Sequence, residues 1–454
     1  VLAISLPLAA AMASNLIIQF CERLFLGGYS LQALAAVAPA GQAAFWGAAF
    51  FLGALNYLGV FVAQYVGAGR PEQVGAVVWA GVRFSLLAGL PLGALGLAAG
   101  PLLAWVGHAP EVRALEESYL RIVAPGWVLG LLGPALGCFF SGRGQTRPLM
   151  AANLLGAALY APLAYALING WGPLPELGIT GAAVAQVAAW GVTDTALSLM
   201  IWRAPEARAF GLCGQRGLRG RVRGVSGDGL LLARLLRYGL PSGAQFVVEV
   251  TAITCFVLLV GRLGTAELAL TNMVMAIDGL TFVPMMGFST GVSTLVGQAM
   301  GAGRPERVGA VVSRTLALTL GYMGLVCLVF LLWPEWLLGL FRPRGMSAAE
   351  FAPLLRAGVA VLAMAAFYRL FSGLGIVCTG ALRGAGDVRF ILAAMAVAAL
   401  AVLITPLYLG LEVLGQGVYW AWGCFTAYIL ALSLTYAWRY RRGAWRGLRV
   451  VGRE

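Results

Sequence analysis

Glu22, Asp194, Glu249, Asp278 and Arg369 lie inside long apolar runs of the chain. A charge near the middle of a bilayer costs on the order of 3 kcal/mol even on the lenient insertion scale, so each is a candidate for chemistry. Ser242, Gln245 and Glu249 are three and four residues apart and share one helix face below Pro241. Thr271, Met275, Asp278, Thr281 and Met285 make a second stripe that mixes methionine with polar groups, and Asn15, Gln19 and Glu22 make a third. Lipid does not tolerate such stripes, so these faces are expected to look inward at protein or at a wet cavity. Met273, Met275, Met285 and Met286 read first as core, although methionine also repacks around dissimilar apolar ligands.

Two readings of the set Glu249, Asp278 and Arg369 stay open. One is a buried ion pair that keeps helices in register. The other is a proton- or cation-binding site, because two acids near one arginine leave one acid free to take up and release a proton. For Asp194 and Glu22 taken singly, packing or a capped helix end is as good a reading as function.

The elements that must position these residues follow from composition. Apolar residues make up 60% of the 454, mean hydropathy is +0.86 and charged residues are only 11%, against about a quarter in soluble domains. Twelve apolar runs are long enough to span a membrane, near 1–27, 34–66, 74–99, 116–141, 148–170, 178–202, 236–262, 267–300, 308–333, 352–382, 389–411 and 415–438. They are continuous and do not alternate, which predicts helices and not barrel strands. The second and eighth are long enough to tilt or to project beyond the bilayer.

The chain repeats itself. Gln64 to Val78 and Gln298 to Val312 are identical at twelve of fifteen positions, 234 residues apart, and the same offset pairs Leu6-Pro7 with Leu240-Pro241 and Gly53 with Gly287. A weaker repeat pairs Gly144-Gln145-Thr146-Arg147 with Gly386-Asp387-Val388-Arg389 at an offset of 242. The expected fold is therefore an all-α polytopic membrane protein: twelve transmembrane helices form two six-helix repeats related by a pseudo-twofold axis along the membrane normal. Its lobes would cover 1–202 and 236–440, with a basic, glycine-rich cytoplasmic linker at 203–235 and a cytoplasmic tail at 441–454. In the repeated Gly-Ala-Gly-Arg-Pro-Glu turn, glycines relieve a tight helix exit and the proline opens the next helix. The turn needs no chemistry of its own.

All 31 basic residues are arginine, and about 22 fall after even-numbered spans or in the tail, which predicts that those loops and both termini are cytoplasmic. That placement, and not nucleic acid, accounts for the net charge of +13. The seven cysteines show no close pairing and read as small core residues, with no metal set. His108, the single histidine, is expected to be solvated in an outer loop. Because Val1 lies at or inside a helix, the native start is expected to be missing. An enzyme is disfavoured, since no nucleophile and base pair, metal spacing or phosphate-cradling loop after a strand is found.

These motifs, in their order along the two halves, resemble the multidrug and toxic compound extrusion (MATE) family of secondary transporters. The resemblance runs nearly end to end. It rests on Pro7 and Glu22 followed by Gly27-Gly28, the repeated turn, Gly144 to Arg147, Gly239 to Pro241 with Glu249 and Val250-Thr251, Phe282-Val283-Pro284 before Gly287, and Gly380 to Gly384. It implies two six-helix lobes in the bacterial inner membrane that export organic cations or amphipathic drugs by alternating access in exchange for protons or sodium ions. No other cofactor or metal is implied, and the expected partners are small-molecule substrates and the bilayer, for a monomer. It also implies coupling acids in helices 1, 7 and 10. Glu22 and Glu249 stand at the first two, Ser372 stands where helix 10 would carry Asp, and Asp278 and Arg369 are departures close by. The expected coupling set is Glu249, Asp278, Arg369 and Glu22, with Asn15, Gln19, Gln245, Thr271, Met275, Thr281, Met285 and Ser372 lining the substrate cleft. A lipid-linked saccharide flippase of the same superfamily is the alternative; it would need several cavity cations, and the sequence offers chiefly Arg369.

Overall fold

Apolar residues in unbroken runs, with no water to satisfy the backbone, form helices because a helix closes its own hydrogen bonds. A computed structural model describes residues 1–104, 108–172, 175–207, 209–212, 225–342, 347–448 and 450–451, and no strand occurs among them. Among the described residues twelve helices are long and apolar enough to cross a membrane: α1 (Leu2–Tyr29), α2 (Leu31–Gly67), α3 (Glu72–Leu97), α4 (Pro110–Arg143), α5 (Thr146–Asn169), α6 (Ile179–Arg203), α7 (Val225–Gly261), α8 (Thr265–Gly301), α9 (Glu306–Leu332), α10 (Ala348–Ala385), α11 (Val388–Val413) and α12 (Val418–Arg442). Each matches one expected run.

Several helices outrun their apolar windows. α4 starts at Pro110 and α10 at Ala348, where the hydropathy places the starts near 116 and 352. Charged residues end an apolar run but not a helix, so these helices extend beyond their apolar windows. Pro110 sits in the first turn of α4, and α10 opens with a capping box in which Ser347 N–H donates to Glu350 (2.8 Å) and Glu350 N–H donates to Ser347 Oγ (3.2 Å). α7 likewise begins at Val225, inside the stretch expected to be linker. Within that stretch residue 208 and residues 213–224, Cys213 among them, lie outside the described residues.

The chain divides into two compact units. One contains Val1–Ala9, Val248–Met300 and Arg304–Arg449, and the other contains Ala10–Val247, Gly301–Gly303 and Val450–Glu454. The division therefore cuts α1 after Ala9 and α7 after Val247. In the second unit α4 is the central helix, packed on α2, α3 and α6, with α5 against α6. In the first, α10 holds the same place, packed on α9 and α12.

The sequence repeat is also a repeat of hydrogen bonds. In the turn after α2, Arg70 N–H donates to Tyr65 O (3.0 Å) with Gly69 at φ +68°; after α8, Arg304 N–H donates to Ala299 O (2.9 Å) with Gly303 at φ +68°. That left-handed conformation is open to glycine at no steric cost. The second repeat behaves alike: Gln145 N–H donates to Phe140 O (3.0 Å) and Asp387 N–H to Leu382 O (2.9 Å). Gly53 and Gly287 serve a different need, close helix approach. A Cβ on Gly53 would stand 2.8 Å from both Gly243 Cα and Ser242 O, and one on Gly287 would stand 2.6 Å from Ser5 O. The start of α7 thus packs on α2 in one unit, and the start of α1 packs on α8 in the other.

Candidate coupling sites within the two units

In the unit built from Ala10–Val247, α1 carries Glu22 onto α4. The carboxyl is 9% exposed and accepts a hydrogen bond from the Tyr119 hydroxyl at 2.8 Å. Tyr160 of α5, fully buried, lies within electrostatic range, and its hydroxyl has no hydrogen-bond partner among the described residues. The acid is therefore held by a neutral phenol in an apolar, aromatic setting, the kind of place where a carboxyl can exchange charge for a proton at tolerable cost. The other two members of the stripe, Asn15 and Gln19, are exposed. The stripe splits, with Glu22 turned inward and the amides outward.

In the other unit, α8 and α10 bring Asp278 and Arg369 together. One edge of the guanidinium engages both carboxylate oxygens, since Arg369 Nε meets Oδ1 and Nη2 meets Oδ2. Nη2 also donates to the Asp278 carbonyl at 3.2 Å, and the Tyr368 hydroxyl donates to Oδ2 at 2.9 Å. The guanidinium is flanked by Met285 Sδ (3.9 Å) and by the Phe282 and Tyr368 rings, 5.6 Å and 5.5 Å from their centroids. A forked pair of this kind, with extra donors on the carboxylate, has the geometry a buried ion pair needs to offset desolvation. It leaves little for Asp278 to offer an outside ion.

Glu249 does not join this pair. It is half-buried on α7 and makes no hydrogen bond or ion pair among the described residues. The cation that acts on it is Arg383 of α10, and the phenols of Tyr428 and Tyr436 on α12 share its field. The trio that depth and composition grouped is thus a closed pair plus a separate acid.

The helix 8 stripe faces its own bundle and not an open space. Thr271 is fully buried and accepts from Trp422 Nε1 at 3.3 Å, and Met285 is fully buried beside Arg369. Thr281 Oγ1 donates to the Asp278 carbonyl at 2.8 Å, and Met275 is half-buried against the core. Gln245 and Ser372 are buried, at 2% and 7% exposure. Ser242, on the same face as Gln245, donates to Gly53 O at 2.8 Å and so fixes helix packing. Among the residues expected to line a cleft, Asn15 and Gln19 are the openly accessible ones in this state.

Two further placements differ from expectation. His108 is not simply solvated: its Nδ1 lies 2.7 Å from Oε1 of Glu116, whose side chain is fully buried and whose Oε2 has no partner among the described residues. Asp194 lies within α6 and not at its end, and among the described residues it pairs with no base. The phenols Tyr119, Tyr160 and Tyr368 carry no signal in the sequence, because tyrosines are common in membrane helices and only the packing shows which of them reach an acid.

A family model, MatE, matches residues 7–166 and 241–408. The chain is 29% identical over 466 residues to the probable multidrug resistance protein NorM of Pseudomonas syringae pv. tomato, covering 99% of this chain and 95% of that protein. It is 31% identical over 396 residues to the probable NorM of Pseudomonas putida, covering 84% and 81%. Among solved structures it is similar to an outward-facing multidrug resistance MATE family transporter of the MOP superfamily, with a TM-score of 0.85, 19% identity and coverage of 98% and 95%. A MATE crystallised in a bent conformation aligns with a TM-score of 0.84, 18% identity and the same coverage. The two matched blocks each carry one of the repeats and one of the buried acidic sites, and the chain belongs to the MatE family.

Proposed function

We propose that the protein exports amphipathic or cationic small molecules across the bacterial inner membrane by alternating access, in exchange for protons. The observation that carries this reading is Glu22, a buried acid held by the Tyr119 hydroxyl and, among the described residues, by no ion-paired base. Such a group can be neutral when sealed and charged when water reaches it, which is what a coupling site must do. Glu249 serves as the corresponding acid in the other unit. Asp278, bound by Arg369 and Tyr368, holds α8 to α10 and carries no ion. The relatives named as multidrug resistance proteins support the substrate class.

The same pairing weighs against a lipid-linked saccharide flippase. That activity needs free cations to hold an anionic headgroup, and Arg369 is committed to Asp278.

The test is accumulation of a fluorescent organic cation in efflux-deficient bacteria. Cells with the wild type should accumulate less than empty-vector cells, a protonophore should remove the difference, and changing sodium should not. Glu22→Gln at matched membrane levels should match the empty vector. Export that survives the protonophore and follows sodium would overturn proton coupling, and wild-type export retained by Glu22→Gln would overturn the site.

A further inference from the structure

Asp194 on α6 is 7% exposed, its Oδ2 is buried without a hydrogen-bond partner, and no ion pair reaches it among the described residues. Its other oxygen lies over the backbone of α4, where a Cβ on Gly133 would stand 3.5 Å from Oδ1. α4 and α6 meet along small residues: Gly126 faces Val187 and Gly130 sits beside Trp127 and Trp190. The rings of those two tryptophans are 4.7 Å apart, one turn from Asp194. The carboxyl is therefore shut into an apolar and aromatic seam.

The charges on the packed helices are committed elsewhere. On α4, Glu116 meets His108, Glu117 meets Arg121, Arg143 meets Glu206, Tyr119 donates to Glu22, and the Cys138 thiol donates to Ala135 O at 3.1 Å. Arg113 donates to Gly100 O at 3.1 Å, and Glu111 lies at the opening turn of α4. On α5, Arg147 is exposed, Tyr160 stands in the field of Glu22, and the Tyr165 ring lies against Phe25 and Trp171. The neighbouring hydroxyls are also occupied, with Thr193 donating to Ala189 O (3.0 Å) and Thr195 to Gly191 O (2.7 Å).

A buried carboxylate without a partner is not sustained as a charge; it is neutralised. A metal cation would require several oxygen ligands, and no group of three potential ligands occurs among the described residues. We infer that Asp194 is a proton-binding site in its own right, separate from Glu22, which holds its proton while the α4–α6 seam is closed and can release it only when that seam admits water. The inference does not depend on Glu22 being the coupling acid.

Infrared spectroscopy of the full-length protein in nanodiscs at neutral pH tests this directly, because a protonated carboxyl has a C=O stretch that a carboxylate lacks. Asp194→Asn should lose one such band, and Glu22→Gln should keep that band. Gly133→Ser sets a hydroxyl beside Oδ1, so the same band should shift in that variant, which keeps the test open should Asp194→Asn fail to assemble. If the protonated-carboxyl region is unchanged in Asp194→Asn and Gly133→Ser, Asp194 is ionised and the inference is overturned. No transport is read, so loss of export and loss of this site remain distinguishable results.

Discussion

Tyr119 donates its hydroxyl to Glu22 across 2.8 Å, from the central helix of one unit to the helix that opens the chain. A buried hydrogen bond between neutral groups is worth about 0.5–1.5 kcal/mol net. Tyr119→Phe should lower the stability of the purified protein by about 1 kcal/mol and alter the pH dependence of export, while Glu22→Gln abolishes export at every pH. Parallel pH profiles in everted vesicles for wild type and both variants would check this; superimposable profiles would detach Tyr119 from the site.

The Asp278 and Arg369 pair should behave as a structural unit. Asp278→Leu or Arg369→Met alone leaves one buried charge without its partner, at a cost of about 3–5 kcal/mol. The double variant Asp278→Leu with Arg369→Met should recover most of that stability and, with Glu22 and Glu249 intact, still export. A double-mutant cycle on thermal stability in detergent measures the coupling. Near-zero coupling energy would contradict the geometry.

Close approach at Gly53 and Gly287 leaves no room for a methyl group. Gly53→Ala and Gly287→Ala should each destabilise by about 1–3 kcal/mol through overpacking. Gly324→Ala, where an added Cβ meets nothing within 4 Å, should be neutral or stabilising, because alanine is the better helix former. Melting temperatures of the three variants compared side by side decide the matter.

His108→Ala should expose the cost of Glu116. With Oε2 already lacking a partner, loss of the imidazole strips the second oxygen too, and the penalty for a buried unpaired polar group is about 1–3 kcal/mol. Unchanged stability of His108→Ala would show that Glu116 finds another donor.

All twelve helices were legible in the sequence because twenty apolar residues in a row leave the backbone no other way to satisfy itself in lipid. The repeat was legible too, down to matched turn hydrogen bonds, since the same residues in the same order make the same helix exit. Depth in the membrane also follows from position along a run, and it singled out Glu22, Asp194, Glu249, Asp278 and Arg369. What depth cannot give is azimuth and partner. Asp278 and Arg369 are 91 residues apart, and Tyr119 is 97 from Glu22; only the packing of α8 on α10 and of α1 on α4 decides that these touch while Glu249 stands apart. Helical spacing gathered Thr271, Asp278 and Met285 on one face, but whether that face meets a cavity or a neighbouring helix depends on how the bundle closes. The sequence alone thus determined the elements and the charges they carry; the tertiary structure decided which charges are paired within the protein and which, among the described residues, stand without an ion-pair partner.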